Sequence, residues 1–485
     1  MFLFARSGQK ALSLAPRGHG AGGQLGERGV KARRILLRQQ DADAHRRAEV
    51  RALHRAAVGG GEQLQALEHR IGAVHRHGRP QAHPRLARRI ERVQTGERVV
   101  AMTFDDGPMD LPSSPDKFDG RSLTDILLDT LAEYDAKGTF DVVGDTSENY
   151  PDVAGKTGQA DWGGVKYDHY PDINQDDRGG VVHNPRLVRR ILDEGHQITN
   201  HSYRHVLFGK KPFVYGKRDH FHGLDEVVAD LSRLHSLMQK TYGYTMTMSR
   251  PPHYVDRIEG GFSSYDAYDQ MGYLYMAASF DGAGWLPLHH GSAQESLQAE
   301  AEAMVAPMRH LLAQDPDALA GQIIFQKDGY NMARRTPVAF GLARQLKLLK
   351  DYGYRVVTVQ QLLDEYSPFA DVGQDEPLFA KLAQLQKTRG IVYSDNRLRL
   401  DAPMTWGELA MLLAPRGESI QRRIQRIRET GTAQHANWGA MDWCAEQGIL
   451  KYAMDPDGAV ASLPSEFFAS CTTYTRRAVY EAFRG

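Results

Sequence analysis

The chain has 485 residues, of which 41% are hydrophobic and 25% charged, and Lys+Arg and Asp+Glu both number 60. At about 150 residues per domain this length predicts two to four units, and the balanced charge gives no whole-chain attraction to nucleic acid or to an acidic membrane surface. No run of about 18 apolar residues occurs, so no membrane span is expected, and the two cysteines, Cys444 and Cys471, suit either a disulfide or reduced structural thiols.

Residues 1–95 are rich in Arg, Ala, Gly, His and Gln, lack Asn, Tyr and Trp, and have only Phe2 and Phe4 as phenylalanines. Such a segment cannot bury enough apolar area to offset chain entropy, so disorder is expected, with at most a polar helix around Ala42 to Ile71. Its arginine runs lack interleaved aromatics and are weak evidence for nucleic acid. The opening MFLFARSGQK has no apolar stretch of about 7–15 residues of the kind an export signal needs. The composition resembles translated GC-rich sequence upstream of a true start, so residues 1–95 are expected to be a possible mis-assigned leader.

From Glu97 the pattern becomes that of an alternating α/β domain. Arg98 to Phe104 reads as a strand ending in Asp105-Asp106-Gly107-Pro108, and Leu123 to Tyr134 as a helix with Leu123, Ile126, Leu127 and Leu131 on one face. Then follow a strand at Gly138–Gly144, a helix at Pro185–Glu194, a strand to Asn200, a helix at Asp225–Tyr242 and a strand at Tyr273–Ser279. Helix Ala293–Gln314, strand Gln322–Gln326, helix Thr336–Tyr352 and strand Tyr354–Val359 complete the series. Such alternation over about 270 residues implies a parallel sheet, at this length a barrel. Residues 145–181 read as an inserted loop, expected to wall a substrate groove.

Three clusters carry the chemistry. Thr103 to Pro108 sets two adjacent carboxylates at the end of a strand, where barrels build their sites. His201-Ser-Tyr-Arg-His205 spaces two imidazoles so that a helical turn or a tight loop points both at one ion. Arg250-Pro251-Pro252-His253 is a rigid turn with a cation in front of it. Taken singly, an Asp-Asp-Gly-Pro turn is ordinary loop chemistry, and a His pair is weak evidence in a chain with 20 histidines. Together, two histidines and a carboxylate with room for water suit a hydrolytic metal site.

These motifs resemble those of the polysaccharide deacetylase family, over residues 97–365. The flanking Tyr134 to Phe140 and Asn184 to His196 are similar too. The resemblance implies a distorted seven-stranded (β/α) barrel and a divalent metal, often zinc, used to hydrolyse N-acetyl or O-acetyl groups on chitin-like or peptidoglycan-like polymers. It implies Asp106, His201 and His205 as metal ligands and Asp105 as the general base. Arg250 would hold Asp105, Asp281 would orient Arg250, a backbone N–H near His253 would serve the oxyanion, and Trp285 would line the acetyl-methyl pocket. One departure stands out: where the family usually carries Leu-x-His, with that His as general acid, the sequence reads Ile323-Ile-Phe-Gln-Lys327-Asp328. Lys327 is then the candidate acid, with His289 or His290 as displaced alternatives.

Residues 367–485 form two weakly similar halves, about 368–415 and 430–485, which suggests stacked helical modules. They resemble S-layer homology modules, which implies attachment to cell-wall polymer and a place outside the cell or on its envelope. Two other readings stand beside the deacetylase: an amidohydrolase of a small cyclic amide on the same barrel, and a wall-binding protein that has lost turnover.

Overall fold

The structure, a computed structural model, describes residues 89–110, 121–148, 160–162, 165–167, 179–210, 219–285, 287–331, 335–388 (save 368, 370 and 374), 397–434, 437–449 and 471–483. Most of the segment expected to be disordered lies outside these residues, as does most of the 145–181 insertion. That insertion shows one short hairpin, Ala160–Trp162 against Val165–Tyr167.

Nine strand segments form one parallel sheet: β1 (Arg89–Ile90), β2 (Val99–Asp105), β3 (Gly138–Val142), β4 (Gln197–Asn200), β5 (Met248–Ser249), β6 (Leu274–Met276), β7 (Phe280–Asp281), β8 (Ile323–Lys327) and β9 (Arg355–Val357). Their order is β1-β6-β5-β4-β3-β2-β8-β7, with β9 pairing the first residues of β2. The sheet curls until its ends meet, because Ala277 N donates to Ile90 O at 2.7 Å and Ile323 N donates to Glu91 O at 3.2 Å. The result is a distorted (β/α) barrel, and its seven principal strands emerge once the two-residue seam pieces β1 and β7 are set aside. β1 also moves the start of the barrel ahead of residue 96. Ile90 and Val93 are fully buried, an apolar pair hidden among the arginines of the leader.

Every residue of β2 and β3 is buried, as expected of strands covered on both faces. Alternate β2 residues divide between two layers. Val99 and Ala101 pack inside with Met248, Met276, Ile323 and Val357, while Val100, Met102 and Phe104 face helices through Leu127, Leu131 and Leu346. Helix Leu123–Glu133 begins where Ser122 caps the Asp125 amide, helix Leu224–Tyr242 stops at Gly243 (φ 66°), and helix Ala293–Gln314 opens with a reciprocal Ser292–Glu295 cap. The sheet register places Lys327, Asp105, Asp141 and Thr199 side by side across β8, β2, β3 and β4. In-register parallel neighbours point the same way, so one row of polar side chains crosses the mouth of the barrel.

The helical C-terminal region is present but is more than an appendage. Helix Arg416–Thr430, which falls between the two expected halves, sends Ile424 and Ile427 into the barrel's main core cluster. Buried Arg423 pairs with Asp266, and Arg416 with Asp269 at 3.1 Å. Helices Trp406–Leu413 and Arg476–Ala482 are each capped by a threonine, Thr405 and Thr475, on antiparallel strands that pair with each other. Arg476 then reaches Glu408 at 2.7 Å. Gly390 and Ile391 lie outside the described residues. Cys444 is a free, buried thiol, pushed up to about 12 by burial. Among the described residues no helix is long and apolar enough to cross a membrane.

Candidate active site

Strand alternation would point Asp105 and Asp106 to opposite faces. The backbone breaks that alternation at Asp106, whose φ is 84°, an uncommon conformation for a non-glycine residue, of the kind that gathers at functional sites. Both carboxylates therefore enter one buried cavity, each residue being 3% exposed. The histidines reach the same place from a tight loop after β4, not from a helix. Ser202 (φ 80°) and His205 (φ 54°) bend this loop. Asp230 holds it from helix Leu224–Tyr242, accepting from Ser202 Oγ at 2.8 Å and from the Tyr203 amide at 2.6 Å.

His201 Nε2 lies 3.2 Å and His205 Nε2 3.1 Å from the same oxygen, Asp106 Oδ1. Three ligand-type atoms thus converge, all buried and within 4.8 Å of one another. His201 Nδ1 donates to Arg250 O at 2.8 Å, which fixes the tautomer that leaves Nε2 with a lone pair for an ion. This donor set, two imidazoles and a carboxylate, fits a divalent metal of the zinc class.

Arg250 is fully buried and binds Asp105 Oδ1, Thr103 Oγ1 (3.0 Å), Met276 O (2.9 Å) and Ala277 O (3.3 Å). Burial pushes the Asp105 carboxyl up to about 7, with Arg250 and His201 opposing the rise. Burial also works against ionisation of Asp106, but the Lys327 ammonium and His205 outweigh it and hold Asp106 well below the usual carboxylate range. Lys327 Nζ sits 2.6 Å from Asp106 Oδ2, on the side of the carboxylate away from the histidines.

The remaining expected residues divide. His253 lies beside His205, ring centroids 5.1 Å apart with the planes tilted by 51°, in a turn of positive φ. Asp281 does not orient Arg250, which spends its donors on Asp105, Thr103 and two carbonyls. The Asp281 carboxylate is exposed and accepts from Trp285 Nε1 at 3.0 Å and from the Ala283 amide at 2.8 Å. Trp285 is half-buried, and His289 and His290 are exposed beside helix Ala293–Gln314.

Two carboxyls escaped the sequence reading. Asp141 is fully buried, accepts from Thr199 Oγ1 at 2.6 Å and places Oδ2 2.8 Å from His201 Nδ1. Its only signal was an acid between Phe140 and Val142 in the buried strand Gly138–Val142. Asp328 is buried against Thr124 Oγ1 at 2.8 Å, and burial pushes it up to about 8, with Asp106 and Asp125 adding to the rise.

Residues 92–255, which contain all three clusters, match the polysaccharide deacetylase family model. The segment is a polysaccharide deacetylase domain. The chain is 24% identical over 276 residues to the peptidoglycan-N-acetylglucosamine deacetylase PgdA of Listeria monocytogenes serotype 1/2a, covering 57% of this chain and 41% of that one. It therefore spans well under two thirds of that relative. It is 25% identical over 274 residues to a peptidoglycan-N-acetylglucosamine deacetylase of Bacillus cereus, covering 56% of this chain and 91% of the relative. Among solved structures, the chitin deacetylase of the fungus Colletotrichum lindemuthianum is similar at 19% identity and a TM-score of 0.38, covering 57% of this chain and 92% of that one. Beyond the deacetylase domain, the barrel runs on through β9 and is joined to the C-terminal helices.

Proposed function

We propose that the chain removes acetyl groups from an N-acetylated, or O-acetylated, glycan such as peptidoglycan or a chitin-like polymer. The observation that carries this is the convergence of His201 and His205 on one oxygen of Asp106, beside a second carboxylate, Asp105, clamped by Arg250. The Listeria and Bacillus cereus relatives are peptidoglycan-N-acetylglucosamine deacetylases, which supports peptidoglycan as the polymer. A divalent metal held by Asp106, His201 and His205, zinc by the chemistry of that donor set, supplies Lewis acidity and a water that ionises near neutral pH.

The protein's own groups do the rest. Asp105 accepts the proton of the attacking water, and Arg250 keeps its carboxylate oriented. The His253 turn supplies a backbone donor to the developing oxyanion, and Trp285, held by Asp281, borders the acetyl methyl. Lys327, beside Asp106, hands a proton to the departing amine. The C-terminal halves, with their paired strands and threonine-capped helices, hold cell-wall polymer as S-layer homology modules would, which places the protein outside the cell or on its envelope.

One observation favours a second reading, a wall-binding protein without turnover: the Lys327 ammonium sits on the same carboxylate that a metal needs. Acetate release from chitooligosaccharides and from peptidoglycan, with zinc or cobalt added, separates the two. Release abolished by Asp105→Asn supports the deacetylase. Bound metal with no acetate from any acetylated glycan supports the second reading.

A further inference from the structure

Ligand-type side chains converge a second time, away from the deacetylase centre. His220 forms a parallel bridge with Leu207, and the next residue, Phe221, donates its amide to Leu207 O at 2.9 Å. Phe221 is 1% exposed. With Phe221 buried between them, His220 is partly exposed and His222 exposed. The His222 amide donates to Glu226 Oε2 at 3.0 Å, which holds the end of the segment to helix Leu224–Tyr242. Glu259 meets them from the turn Glu259–Gly261, between the antiparallel strands Arg257–Ile258 and Phe262–Ser263.

The three side chains share one focus. His220 Nε2 lies 2.9 Å from Glu259 Oε1, His222 Nδ1 lies 3.9 Å from Glu259 Oε2, and the imidazole centroids are 5.0 Å apart. One nitrogen from each ring and one carboxylate oxygen fall within 4.8 Å of one another. An ordinary surface ion pair needs one histidine; here two rings two residues apart face the two oxygens of a single carboxylate.

We propose that His220, His222 and Glu259 form a second metal site, a surface clip that takes a divalent ion of the Zn2+, Ni2+ or Cu2+ class. Two imidazoles and one carboxylate, with water completing the shell, match that class. Mg2+ and Ca2+ are disfavoured, since they require six or more oxygen ligands. The clip shares no ligand with Asp106, His201 and His205. It ties the loop that leaves His205 (Leu207 lies two residues on) to the hairpin that follows the Arg250–His253 turn. An ion here therefore braces segments on both sides of the deacetylase centre, while the proposal rests on no catalytic reading.

Bound zinc counted by mass spectrometry tests it, using the full chain without a polyhistidine tag, stripped of metal and dialysed against zinc. Wild type is expected to hold about two ions and His222→Ala or Glu259→Gln about one, because each variant removes one of only three ligands. Both substitutions replace half- to well-exposed side chains, and circular dichroism checks that the fold is kept. A parallel readout uses His201→Ala: zinc raises its thermal midpoint by binding the remaining site, and adding His222→Ala removes that rise. Equal zinc counts in wild type and His222→Ala at up to ~1 mM free zinc would overturn the proposal.

Discussion

Lys327 Nζ and Asp106 Oδ2 are 2.6 Å apart in a cavity where both side chains are about 95% buried. An ammonium so close to the carboxylate proposed to hold the metal would repel a dication while holding the carboxylate ionised. Lys327→Met is therefore expected to bind zinc about tenfold more tightly, a modest share of the buried Coulomb term. Acetate release should fall by roughly 10²–10⁴-fold if the lysine is the proton donor. Isothermal titration and acetate assays on the same variant check both halves; unchanged affinity with unchanged turnover contradicts them.

Arg250→Met removes the partner of Asp105 without emptying the volume. Breaking a buried pair leaves an uncompensated charge, which costs about 3–5 kcal/mol. Urea unfolding is expected to give an unfolding free energy lower by that margin, and a value equal to wild type would contradict the arrangement.

Gly107 touches Asp328 so closely that an added Cβ would stand 2.0 Å from Asp328 Oδ2 and 2.5 Å from its Cγ. Asp328 cannot withdraw without leaving Thr124. Gly107→Ala is expected to destabilise by about 1–3 kcal/mol, and Asp328→Ala in the same chain to recover part of the loss. Calorimetry of the single and double variants decides it.

His196 gives the pH dependence. Burial, with Lys137 and Arg190, pushes its imidazole down to about 4, and its Nδ1 accepts from the Gly138 amide at 2.9 Å. Above the unfolded value of about 6.5 neither state is protonated and the group costs nothing. As pH falls from there toward 4 the unfolded chain takes the proton first, so stability drops, by about 2–3 kcal/mol once below 4. His196→Gln keeps an acceptor and should flatten the urea midpoint between pH 6.5 and 4 relative to wild type. Parallel curves would contradict the account.

Arg423 joins the C-terminal region to the barrel through Asp266, close to Ile424 and Ile427 in the shared core. Arg423→Met should lower stability by about 3–5 kcal/mol. Limited proteolysis should then cut the 416–430 helix before the barrel; cleavage at the wild-type rate would contradict the joint.

The sequence made the barrel legible because its long helices and buried strands have clean periods: helix Ala293–Gln314 has the expected bounds, and β2 is the expected strand with Asp105 at its end. The convergence of His201 and His205 on Asp106 was legible because these residues sit in short motifs. What was hidden depends on distant partners. Ile90 and Val93 look like stray apolar residues until β1 closes the barrel. Helix Arg416–Thr430 has few apolar residues and shows its purpose only against Asp266 and Asp269. Asp141 joins the site through strand register, and Asp281 takes Trp285 and the Ala283 amide as partners instead of Arg250, neither of which a linear pattern encodes.

The central claim is tested most directly by acetate release from N-acetylglucosamine oligomers and peptidoglycan by the zinc-loaded chain, beside Asp105→Asn and Asp106→Asn. The account predicts release by wild type, loss of roughly 10²-fold or more in Asp105→Asn with zinc still bound, and loss of both zinc at that centre and release in Asp106→Asn. Release that persists undiminished in Asp105→Asn, or its absence from zinc-loaded wild type on every acetylated glycan, would contradict it.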